Sequence, residues 1–107
     1  MIYVYHNPDF LKFQFEPFRI GADPMELIKL RLKIKCDTTA VVRTDDLEVV
    51  FEKTNHIDKP WYLNEEIIGC NRKARSTSAG DLMMDEEGNV YVVEACGFYC
   101  LNTGKKV

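Results

Sequence analysis

Residues 75 to 81 read Arg75-Ser76-Thr77-Ser78-Ala79-Gly80-Asp81, a run of small polar residues bounded by a cation and an anion. Loop residues selected for size and hydrogen bonding serve either a ligand or a turn. As a ligand loop, this one would cradle an anion, because small residues let successive backbone N–H groups converge while Arg75 supplies charge. As turn chemistry, Ser76 and Ser78 cap local backbone groups and Gly80-Asp81 launches a strand, and this second reading is favoured. A triad of Ser76 or Ser78 with His6 or His56 and an acid needs three groups to converge, and no spacing here enforces that. Phosphate-loop, dinucleotide and metalloprotease patterns are also missing, so no catalytic residue is assigned and enzyme activity is not expected.

Two further sets of residues have chemistry to offer. Cys36, Cys70, Cys96 and Cys100, with His6 or His56, are zinc-ligand types. In an extended strand, however, Cys96 and Cys100 stand about 13 Å apart, too far to share a tetrahedral ion without a bend at Gly97. They are read as reduced structural thiols, with no metal and no cofactor expected. Lys29, Arg31, Lys33 and Lys35 alternate with apolar residues, and Arg72, Lys73 and Arg75 form a second basic group. With Tyr3 and Tyr5 on a neighbouring strand, the first row would suit nucleic-acid binding through phosphate contacts and stacking. A solvated sheet face whose lysines discourage edge pairing is the plainer reading.

The elements that must position these residues follow from local patterns. Ile2 to His6 is β-prone and ends at the turn signal Asn7-Pro8-Asp9. Leu11, Phe13 and Phe15 alternate with polar residues and are expected to return as the second arm of a hairpin. Asp23-Pro24-Met25-Glu26 marks a helix start. The strict alternation of Ile28, Leu30, Leu32, Ile34 and Cys36 then predicts a half-buried strand, leaving a single helical turn. Residues 39–43 are β-prone. The clearest helix covers 45–54. Asp45 and Glu48 make a capping-box-like pair, Leu47, Val50, Phe51 and Thr54 share one face, and Asn55 suits a left-handed C-terminal position. His56 to Glu66 reads as an ordered loop and Ile67–Cys70 as a short strand. Leu82–Met84 and 90–95 form a hairpin around Gly88-Asn89, and residues 102–107 are read as a loose tail.

The chain of 107 residues, 46% hydrophobic and 29% charged, is expected to form one α+β domain spanning 1–107. Its architecture would be a mainly antiparallel twisted sheet with the 45–54 helix packed on one face. No apolar run is long enough to cross a bilayer, no basic segment precedes an apolar one at the start, and a cytoplasmic location is the expectation. The net charge of -3 argues against a protein that blankets nucleic acid. Charge is uneven: seven Lys or Arg face five Asp or Glu in residues 1–43, and seven face twelve in 44–107. One basic and one acidic side are expected.

Residues 45–101 resemble the YodL-like domains of plasmids, conjugative elements and bacteriophages. The likeness rests on the segment from Leu47 to Asn55, the Ser76-x-Ser78-x-x-Asp81 loop and a hairpin closing in Gly97-Phe98. The chain departs from that pattern at Glu94-Ala95-Cys96, where those domains carry an Asp-Ser pair. The resemblance implies a mobile-element accessory protein that binds and modulates, in the sense of inhibiting, a host protein complex such as a defence system. On that reading His56, Trp61, Tyr62, Arg75, Ser76, Ser78, Asp81, Phe98 and Tyr99 are the partner-binding candidates, and an exposed apolar patch around Trp61, Tyr62, Phe98 or Tyr99 would mark the binding face. Nucleic acid is the alternative partner, through Lys29, Arg31, Lys33, Lys35, Arg72 and Lys73.

Overall fold

Short β-branched and aromatic segments supply the strands of a single antiparallel sheet. In the computed structural model, which describes residues 1–8, 24–55, 60–70 and 74–107, the strands are β1 (Ile2–Tyr5), β2 (Ala40–Val42), β3 (Ile67–Cys70), β4 (Leu82–Met84), β5 (Val90–Glu94), β6 (Gly97–Cys100) and β7 (Lys105–Lys106). They lie in the order β3-β2-β1-β4-β5-β6-β7. β1 is central, with Tyr3 opposite Val41 on one side and Met84 on the other. Helix α1 (Pro24–Cys36), helix α2 (Leu47–Lys53) and a 3-10 turn at Trp61–Leu63 complete the described elements.

Alternation along the strands sends side chains to two cores. Ile2, Val4, Ala40, Val42, Met83, Val93 and Phe98 pack with Val50 of α2 and with Trp61. On the opposite face Tyr5, Leu82, Met84, Val90, Val92 and Leu101 pack with Leu27 and Ile34 of α1. The α+β sheet with the 45–54 region as a helix on one face is therefore as expected, and a second helix covers the other face.

That second helix corrects the reading of 28–36 as a strand. Leu27, Leu30 and Ile34 recur at helical spacing and face the core, while Ile28 and Leu32 are 47% and 60% exposed. Leu30 and Ile34 of the alternation already stand four apart, Leu27 extends their stripe by one turn, and the leucines, lysines and arginine are all good helix formers. The segment thus had two readings, and burial of one stripe selected the helix.

Helix α2 starts two residues later than expected, and its N-cap moves by one. Asp46, not Asp45, is the N-cap, and its Oδ1 accepts from Glu48 N at 2.9 Å. Asp45 instead meets the Met1 amine at 2.9 Å. Asn55 does not take the left-handed form, since positive φ among the described residues is confined to glycine, and its side chain donates to Phe51 O. Of the expected apolar face, Val50 and Thr54 are buried and Leu47 packs on the core, whereas Phe51 sits at 36% exposure.

The β4–β5 hairpin turns on Asp85. Its Oδ1 accepts from Glu87 N and Asn89 N, and Oδ2 accepts from the Asn89 amide. Gly88 has φ 85°, and a Cβ there would lie 3.2 Å from Arg31 Nε, which donates to Gly88 O at 2.7 Å. The positive φ calls for glycine, and a Cβ would also press the Arg31 side chain aside by a few tenths of an ångström. The expected loose tail contains β7, whose Lys105 and Lys106 pair with Cys100 and Tyr99, and Val107 N donates to Phe98 O. The expected return strand over Leu11–Phe15 lies outside the described residues.

Candidate functional site

The 75–81 loop does cradle an anion, and the anion is its own. Asp81 is fully buried just before β4. Its carboxylate accepts from Arg75 Nη1 at 2.6 Å, Arg75 Nη2 at 2.7 Å, Ser78 N at 2.8 Å and Asn7 N at 2.8 Å. In these bonds Ser78 supplies a backbone N–H, and Ser76 O accepts from Arg75 Nη1. Asn7 Nδ2 reaches Gly80 O at 3.2 Å, so the residue read as a turn signal also ties the end of β1 to this loop.

The hydroxyl that faces His6 belongs to Thr77, not to either serine, with Nε2 and Oγ1 2.9 Å apart. His6 Nδ1 is buried and has no partner among the described residues. An unpaired lone pair is cheaper than an unpaired N–H, which places the proton on Nε2 as donor to Thr77. In this tautomer the ring donates to the threonine oxygen and does not take the threonine proton. Thr77 N in turn donates to Thr54 O at the end of α2.

Burial is the main cause that lowers the His6 pKa from 6.5 to about 4; the Asp81 charge opposes the shift and Arg75 adds to it. The unfolded chain therefore takes up this proton at higher pH than the folded chain. The stabilising contribution is complete above the unfolded value and is lost as pH falls through the window down to the folded one. The full difference corresponds to about 3 kcal/mol, and residual water contact of the ring reduces the expectation to roughly 2 kcal/mol. Urea unfolding at about pH 4.5 and about pH 7.5 should show a smaller pH dependence in His6→Gln than in wild type. Equal slopes would show that His6 does not titrate in this window.

The aromatic candidates are mostly core. Trp61 is 0% exposed, its Nε1 donates to Ala74 O at 3.2 Å and Arg75 O at 3.0 Å, and its ring meets His6 edge-on at 6.2 Å. Phe98 is buried in the same core, Tyr62 packs against it, and Tyr99 packs in the other core. These rings are packed rather than gathered in an exposed patch, because burying a large ring stabilises the fold more than exposing it. The exposed apolar side chains of Met25, Ile28 and Leu32 lie instead on α1. His56, Arg72 and Lys73 lie outside the described residues.

The basic row lies on α1 rather than on a strand, which splits it into Lys29 with Lys33 and Arg31 with Lys35 on different sides of the helix. Lys29 pairs with Glu26 at 3.6 Å, Lys33 Nζ sits 5.7 Å from the centre of the Tyr5 ring, and Arg31 is held by Gly88. Among the described residues no group of His, Cys, Asp or Glu could hold a metal ion, and the four cysteines are free.

One concave surface among the described residues was not foreseen. A cleft of about 760 Å³ opens beside the N-terminus of α2, over buried Ile2 and Phe98 and half-buried Leu47 and Tyr91. Asp45, Asp46, Glu48 and Asp85 line it. A smaller hollow of about 150 Å³ continues it past Glu48 and Phe98 to Phe51, Val93 and Glu94. Tyr91 OH donates to Asp85 Oδ2 at 3.3 Å, and burial, reinforced by Asp85, pushes its pKa up to about 12. The phenol stays neutral and directs its proton at the carboxylate. The acidic loop 85–87 and the α2 cap were each legible in the sequence; that they share one rim depends on strand order.

These features define a small α+β domain with a closed polar network on one edge and an open acidic cleft. No helix among the described residues is long and apolar enough to cross a membrane. No family model and no solved structure matches the chain. Over 69 residues it is 36% identical to Uncharacterized protein R785 of Acanthamoeba polyphaga mimivirus, a stretch covering 63% of each chain. The chain therefore spans less than two thirds of that viral relative.

Proposed function

We propose that this is an accessory protein of a virus or other mobile element that acts by stoichiometric binding to a host protein complex, inhibiting it. The observation that carries the reading is the contrast between its two polar regions. His6, Thr77, Arg75 and Asp81, the residues best suited to chemistry, are bonded to one another, whereas the large cleft offers an apolar floor and carboxylates. An apolar floor with a few polar groups is the usual form of a recognition site. The viral relative and the YodL-like resemblance support the mobile-element setting, and a defence system is the class of target the resemblance implies. Affinity-tagged protein recovered from a lysate of its host at physiological salt should carry one specific complex in a fixed ratio. Recovery of no specific complex would overturn the reading.

A further inference from the structure

Resting on the binding reading above, we infer that the cleft between α2 and strands β1, β5 and β6 takes a basic, apolar-anchored peptide segment of the partner protein. Five carboxylates, those of Asp45, Asp46, Glu48, Asp85 and Glu94, line the cleft and its extension; Asp45 already meets the Met1 amine, and among the described residues no Lys or Arg side chain lines the cleft to offset the other four. The floor beneath them is hydrophobic and includes Phe98 and Tyr91. A ligand that fills this space must bury apolar side chains and present cations to the rim at the same time.

A second observation points the same way. Glu94 Oε1 in the extension is buried and has no hydrogen-bond partner among the described residues. A buried carboxylate oxygen without a donor is costly, and turning this half-buried side chain outward to a ligand's lysine or arginine would give it one. Phe51, at 36% exposure, stands beside it as an apolar contact at the far end of the groove. Carboxylates and apolar side chains both line the groove, so an extended segment that carries cations on one face and apolar side chains on the other would suit it.

The probe is a fluorescein-labelled peptide alternating lysine and leucine, with a glutamate–leucine peptide as control, measured by anisotropy against the full chain. Wild type should bind the lysine peptide with an affinity that falls as salt rises, and should not bind the control. Asp45→Lys/Glu48→Lys changes two exposed rim positions and should weaken binding about tenfold while circular dichroism stays native. Glu94→Gln, which keeps shape and removes charge, should weaken it about threefold. Equal binding of both peptides, or unchanged affinity in both variants, would overturn the inference. So would a second copy filling the cleft through the exposed Met25-Ile28-Leu32 stripe of α1, seen as dimers in sedimentation that Leu32→Glu abolishes. The two readings fail separately. A host complex recovered equally by wild type and the rim variant would reject the cleft alone, and lysine-peptide binding with no host complex would reject the proposed function alone.

Discussion

Replacing Arg75 with alanine is expected to destabilise the fold by on the order of 3–5 kcal/mol, the cost of leaving a buried charge without its counter-ion. Asp81 is 0% exposed and holds two of its four described donors from that one guanidinium. With Arg75 gone, Asn7 N and Ser78 N remain, but no positive charge offsets the desolvated carboxylate. For a domain of this size each kcal/mol lowers Tm by about 4–8 °C, so a fall of roughly 15 °C or more is expected in a thermal melt. Asp81→Asn removes the charge and keeps the shape, and the double variant Arg75→Ala/Asp81→Asn should be more stable than the sum of the single losses predicts. A loss below about 1 kcal/mol in Arg75→Ala would mean the pair behaves as a surface ion pair, contrary to its geometry.

Trp61→Ala should cost a similar amount, about 3–5 kcal/mol, for a different reason. Trp61 is the largest fully buried side chain and joins α2, the 75–81 loop and the central strand through one ring. Its removal leaves a cavity and strips a donor from Ala74 O and Arg75 O. Trp61→Phe separates these effects, because it refills most of the space without the indole N–H and should lose about 1–2 kcal/mol less than Ala. Denaturant midpoints for the three proteins give the test. As the sole tryptophan of the chain, Trp61 also reports its own environment, and native emission should be blue-shifted and move to the red on unfolding. Tm values of Trp61→Ala within a few degrees of wild type would place the ring outside the core.

How much of this could be read from residues alone depended on the range of the interactions involved. β1, β2, β3, α2 and the β4–β5 hairpin are specified by neighbours in sequence: β-branched runs, an acidic helix start, a Gly-Asn turn. Residues 28–36 misled because period two and helical spacing coincide there, and only packing of Leu27 and Ile34 against the sheet decides between them. The site was legible in composition but not in connectivity. The 75–81 loop was visible as constrained, and the constraint is an ion pair within it plus bonds to Asn7 and His6 more than seventy residues earlier in the chain. No local pattern encodes such a bond. Thr77 was passed over between two serines that looked more reactive, and the acidic cleft combines segments from three separate parts of the chain.

The sheet order carries a consequence for how the chain assembles. Strands β1, β2 and β3 pair consecutively, as do β4 through β7, and the two series meet only where β1 lies beside β4. Within each series a ladder closes over a modest stretch of chain; the β1–β4 ladder, with Tyr5 opposite Leu82, must close over most of it. That junction is entropically the hardest contact to form and slows folding relative to the local pairings. The His6, Asn7, Arg75 and Asp81 bonds sit where the junction ends, just beyond that last rung. What looked at first like a binding loop is a clasp: it fastens the two strand series to each other at the end of the seam where β1 lies beside β4.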